Sequence, residues 1–153
     1  TDHHWFKWVQ SDDFEPTVSN LGATTLSVIK RIGFERTAHV DETWIRAYAS
    51  PFPTPESCRR ALQFPRNIAN AETFAFFAEL AEQHDLEAFR SIPVMCIHGK
   101  EDRAIPVESA VAAFRAFWPA APVVTLPGVG HFLQEDAPEA VSSMVEMFIQ
   151  LNS

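Results

Sequence analysis

The chain has 153 residues, 46% of them apolar, and a formal charge of −8. That length suits one ordinary domain with a buried core. The acidic balance speaks against nucleic acid or an anionic membrane surface as partner, since both demand basic patches. No apolar run reaches the roughly 18 residues of a spanning helix, so no transmembrane helix is expected.

The opening "TDHHWFKW" has no basic-then-apolar signal pattern. Its aromatics Trp5, Phe6 and Trp8 stand at the very start, without a leading turn or strand. The expectation is a piece of something longer. His3 and His4 are adjacent, but no further ligands can be placed around them, so no metal site is expected. Two cysteines, Cys58 and Cys96, make no disulfide framework, and a reducing cytoplasm is the expected compartment.

The first half reads as helical. "TTLSVIKRI" and "DETWIRAYA" both repeat their apolar residues near every 3.6 positions, and Asp41 has the chemistry of an N-cap. "SPFPTPES" is a turn, because Pro51, Pro53 and Pro55 cannot share a helix. "PESCRRALQFPRNI" is a further helix, with Pro55 acceptable in its first turn.

From Asn70 the pattern changes. "AETFAFFAELAEQHDLEAF" is an apolar-rich helix, and "VMCIHG" reads as a strand buried on both faces. "PVESAVAAFRAFW" is an amphipathic helix with Val107, Val111, Phe114 and Trp118 on one stripe. "APVVTLPG" is a second strand. "APEAVSSMVEMFIQL" is a last helix with Pro138 in its first turn. Such alternation predicts an α/β fold, a parallel sheet with helices on its faces.

In sheets of that kind, reactive groups sit on loops past the carboxyl ends of the strands. Each strand here is followed by a titratable residue: Asp102 in "GKEDRAIP" and His131 in "GVGHFLQED". Neighbouring parallel strands bring these loops together. An aspartate bonded to one ring nitrogen fixes the imidazole tautomer and leaves the other nitrogen a general base. Gly128 and Gly130 suit a tight bend that exposes the ring. Taken singly, His131 is more often a solvated loop residue and Asp102 a turn or helix-cap residue. Their matched positions past two strands favour the pair. His98 reads as a structural or backbone-bonded histidine, and Cys96 as a small buried hydrophobe.

"IPVMCIHGKEDRAIP", followed about thirty residues later by "LPGVGHFLQEDAPEAV", resembles the C-terminal end of α/β-hydrolases. The resemblance implies a triad in the chain order nucleophile, acid, histidine, with Asp102 as the acid and His131 as the base. It identifies the acid and the base but not the substrate. The sequence contains no G-x-S-x-G and no G-x-D-x-G. The expectation is therefore a chain that starts within the cap, with residues 1–70 a helical cap and 71–153 the C-terminal part of the core. The nucleophile would come from the missing N-terminal half of the fold, either on another chain or on the rest of a longer protein.

The segment "RAYASPFPTPESCRRALQFPRNI" looks like the cap of haloalkane dehalogenases, and "WFKW" resembles their aromatic-x-x-Trp motif. This implies Trp8 as the indole donor that holds the leaving halide, with Trp5 lining the pocket; the spacing also allows Trp5 as the donor. An indole N–H donates without charge or acceptor, which suits an anion in a dry cavity. Phe64, Pro65 and Ile105 would be further pocket wall. The plainer reading of the early aromatics is packing. The resemblance implies a small halogenated aliphatic substrate and no cofactor. Epoxide hydrolase and serine esterase are the alternatives within the fold, the former disfavoured by the single tyrosine, Tyr48. A non-catalytic fragment or interaction module is the alternative outside it.

Overall fold

The structure, a computed structural model, describes residues 4–16, 35, 36, 38, 40–54, 57, 63, 64, 66–68, 70–83 and 87–153. Side chains of residues 4–6 and 81 lie outside that description. The chain divides into two compact units, Thr1–Arg31 with Ala38–Asp85, and Ile32–Thr37 with Leu86–Ser153.

The described part of the first unit is helical: α1 (His4–Gln10), α2 (Glu42–Ala49) and α3 (Ala71–Gln83). After α1 the Ser11 hydroxyl and N–H both donate to the Trp8 carbonyl, at 2.7 and 3.0 Å, closing the turn. Val9 and Phe14 are fully buried there. Trp8 meets the Phe14 ring edge-on, centroids 4.9 Å apart, and the Arg66 guanidinium lies 5.5 Å from the same ring. Asp41 caps α2 as expected, accepting from the Trp44 N–H at 2.8 Å. One turn apart on that helix, Trp44 and Tyr48 stack at 4.3 Å. The Pro-rich segment turns at residues 50–54, and Ser57 Oγ donates to the Thr54 carbonyl at 2.6 Å. The helix expected over 24–32 lies outside the described residues. Of the one expected over 55–68, positions 57, 63, 64 and 66–68 are described, and they are helical.

The second unit holds α4 (Glu87–Arg90), β1 (Cys96–Gly99), α5 (Val107–Phe117), β2 (Val123–Leu126), α6 (Leu133–Asp136) and α7 (Pro138–Leu151). The two strands are parallel, Cys96 opposite Val123 through Gly99 opposite Leu126. Strand–helix–strand order demands this pairing, because α5 carries the chain back to the start of the sheet. The stripe Val107, Val111, Phe114 and Trp118 is the half-buried side of α5, while most residues between them are exposed. Pro138 opens α7, where its missing N–H costs nothing.

Burial of the strands differs from expectation. In β1 only Gly99 is buried; Cys96, Ile97, His98 and all of β2 are half-buried. Among the described residues the sheet has two strands, and each keeps one unpaired edge. Cys96 thus stays partly exposed, although burial pushes its thiol above the ordinary value of 9.0. Among the described residues the buried apolar side chains of this unit are Ala104 and Val129, on the loops past the strands, and Ala137, between α6 and α7.

Candidate active site

Asp102 lies on the loop between β1 and α5. Its Oδ1 accepts the N–H groups of Ala104 and Ile105 at 2.8 and 2.9 Å. These bonds fold the loop back on the carboxylate, as short acidic side chains do in turns. α5 itself starts after Pro106 with no side-chain cap, so the turn and not the helix takes these bonds.

His131 lies on the bend after β2. Its Nδ1 stands 3.0 Å from Asp102 Oδ1 and 2.9 Å from Oδ2. An ionised carboxylate only accepts, so Nδ1 carries the proton and donates. That tautomer leaves the Nε2 lone pair free to take a proton from a reactant. The Asp102 side chain is 4% exposed and that of His131 29%, which shelters the acid and leaves the imidazole reachable. Burial alone would raise the Asp102 carboxyl. The His131 hydrogen bond, the Ile105 and Ala104 N–H groups and the charge of His131 outweigh it and hold the carboxyl below its ordinary value. The acid therefore stays ionised wherever the histidine works.

The bend is built backbone-first. Gly128 takes φ +67°, a left-handed angle that glycine adopts without Cβ strain. Gly130 does not: its place follows from burial, and its N–H donates to Asp136 at 2.7 Å. Val129 is clamped by Glu101, whose N–H donates to the Val129 carbonyl at 3.0 Å and whose Oε2 accepts the Val129 N–H at 3.1 Å. Residues 129, 130 and 131 are thus held in turn by Glu101, Asp136 and Asp102.

The sequence did not point to Glu101 or Asp136. Acidic residues in "GKEDR" and "LQEDAPE" look like solvated surface, and nothing local signals that two of them bond the backbone of the histidine bend. His98 was expected to be structural, and its Nδ1 does donate to the Gly99 carbonyl at 2.8 Å. Its Nε2 also lies 3.5 Å from Asp102 Oδ2, a second imidazole beside the acid.

Of the other expected site residues, Ile105 is 45% exposed and gives its N–H to Asp102. Trp8 and Phe64 belong to the first unit, Trp8 half-buried against Phe14 and Phe64 69% exposed. Trp5 lies in α1, but its side chain is outside the described residues, as is all of Pro65. Among the described residues no group of three or more His, Cys, Asp or Glu side chains could hold a metal ion. Nor is any described helix long and apolar enough to cross a membrane.

The model of the "Alpha/beta hydrolase family" matches residues 10–144, nearly the whole chain. The chain belongs to the alpha/beta hydrolase family. Its parallel strands, with Asp102 and His131 on the loops behind them, form part of an alpha/beta hydrolase fold. A haloalkane dehalogenase of Bradyrhizobium diazoefficiens is 30% identical over 123 residues, which is 80% of this alpha/beta hydrolase chain and 37% of that protein. The chain thus spans a little over a third of the length of the curated relative it matches.

Proposed function

We propose that this chain carries the acid–base half of a haloalkane dehalogenase, a hydrolase that converts a small halogenated aliphatic compound to an alcohol and a halide. The observation that carries the reading is the Asp102–His131 hydrogen bond, 2.9 Å long, with the acid sheltered and the ring partly exposed. The similarity to a protein named haloalkane dehalogenase supports the choice of substrate class.

The chemistry runs in two displacements. An aspartate on a segment other than these residues attacks the halogen-bearing carbon, and the halide leaves with the bonding electrons of the carbon–halogen bond. By its resemblance to the dehalogenase motif, the Trp8 indole is the proposed donor to that halide, with Trp5, Phe64, Pro65 and Ile105 as further proposed substrate-binding residues. A water then attacks the ester carbonyl while His131 Nε2 takes its proton. Collapse of the tetrahedral adduct returns that proton to the leaving alkoxide, freeing the alcohol, and the carboxyl gives the second water proton to solvent to become aspartate again. Asp102 bonds the ring throughout and stabilises the imidazolium that forms between the two proton transfers.

Histidine serves only the second displacement, and that separates this reading from its rivals. Incubated with 1-bromobutane, the intact protein releases bromide and butanol. His131→Gln releases about one equivalent of bromide and keeps a butyl ester visible as added protein mass. Absence of bromide release by the unmodified protein, or repeated turnover by the variant, contradicts the proposal. Conversion of an epoxide to a diol, or of a carboxylic ester by a serine acyl-enzyme, would assign the pair to an epoxide hydrolase or esterase. No turnover of any of these would favour a non-catalytic module.

A further inference from the structure

Asp136 is a carboxylate only 3% exposed, and the chemistry above makes no use of it. Its oxygens accept backbone N–H groups from two distant stretches of chain. Oδ2 accepts Gly130 at 2.7 Å, Oδ1 accepts Arg36 at 2.8 Å, and the Glu35 N–H lies 3.1 Å from both oxygens. Of these, Glu35 also reaches the acid's loop, because its carboxylate pairs with Arg103, the neighbour of Asp102. Glu35 therefore ties the loop of the acid to the bend of the histidine, and Asp136 is the knot on the histidine side.

We infer that Asp136 is a positioning residue for His131. Three N–H donors converge on it, which only an acceptor with several free lone pairs satisfies. Gly130 immediately precedes His131, so the place of its N–H fixes where the imidazole starts. Without that bond the ring can stay attached to Asp102 while Nε2 drifts from the water it must deprotonate. Asparagine cannot replace the carboxylate, since its NH2 would face incoming N–H groups and leave donors unpaired in a buried site. The kinetic arm of the test rests on the dehalogenase reading; the exchange arm does not.

In the intact protein, Asp136→Asn should slow hydrolysis of the ester by about tenfold to a hundredfold, the scale of a small misplacement of a catalytic group. The first-turnover halide burst should keep its rate and amplitude, because His131 takes no part in it. A variant with a lower melting temperature but an unchanged second step overturns the inference and leaves Asp136 a stability residue. Amide hydrogen exchange of the unmodified protein decides the matter if the variant does not fold or no halide burst exists. Gly130 and Arg36 should both exchange far more slowly than unstructured amides, and exchange of either at the unprotected rate overturns the inference. A protein that passes the exchange test but releases no halide refutes the dehalogenase reading alone.

Discussion

Gly99, the last residue of β1, lies hard against Gly130 on the bend before His131: a Cβ at position 99 would collide with the carbonyl oxygens of Gly130 and Val129. The end of one strand is thus the floor on which the histidine loop rests. Both obstacles are backbone, so neither can rotate away. Gly99→Ala should destabilise the protein by about 1–3 kcal/mol, as overpacking of tight interiors does. Urea unfolding measures it, and a midpoint equal to that of the unmodified protein would show that the two loops are not packed as described.

Gly128 poses the opposite case. A Cβ there would have room, its nearest neighbour being Arg36 Nη2 at 3.9 Å, but φ is +67°. Gly128→Ala should therefore cost about 1–2 kcal/mol through backbone conformation alone. Gly128→Asn should cost less, because asparagine tolerates the left-handed region better. Equal stability of the alanine and glycine forms would mean that the bend adopts another angle.

The ionised state of Asp102 links folding to pH. Its native carboxyl titrates below the ordinary value of 3.8, so the native state resists taking up this proton more than the unfolded chain does. The stability it contributes is complete above the unfolded value and disappears as pH falls through the native one. Between about pH 5 and 2 the unmodified protein should lose stability more steeply than Asp102→Asn. Parallel curves for the two proteins over that range would contradict the sheltered, hydrogen-bonded carboxylate.

On activity the same substitution acts through the ring. Asparagine can turn its NH2 toward Nδ1, which then accepts, and the proton moves to the nitrogen that should be the base. Asp102→Asn should lower the hydrolytic step by about 10²–10⁴-fold, the range of a lost general base. Single-turnover kinetics with the alkyl ester preformed isolates that step. A loss under threefold would remove Asp102 from the role proposed here.

Much of this arrangement was legible in the residues. Strand–helix–strand periodicity gave the parallel pair, and Asp102 and His131 stood out because each follows a short apolar run ended by a glycine or Pro-Gly. Asp41 and Pro138 marked their helix starts through local hydrogen-bonding chemistry, which depends on few neighbours. What escaped was set by distant contacts. Asp136 sits in an acidic run that looks solvated, and only the return of residues 35 and 36 turns it inward. Gly130 was expected to serve by backbone freedom; it serves by giving its N–H to a buried acceptor. "VMCIHG" has the composition of a fully covered strand, yet coverage depends on neighbours that the segment itself does not encode.

The central claim is that Asp102 holds the His131 ring with its proton on Nδ1 and its lone pair on Nε2. Nitrogen NMR of the intact protein, labelled with 15N in its histidines and recorded above the titration of the ring, tests this most directly. The account predicts a protonated Nδ1 for His131 with a low-field proton that disappears in Asp102→Asn, and an unprotonated Nε2. A proton on Nε2, or an Nδ1 signal indifferent to the loss of the carboxylate, would contradict it.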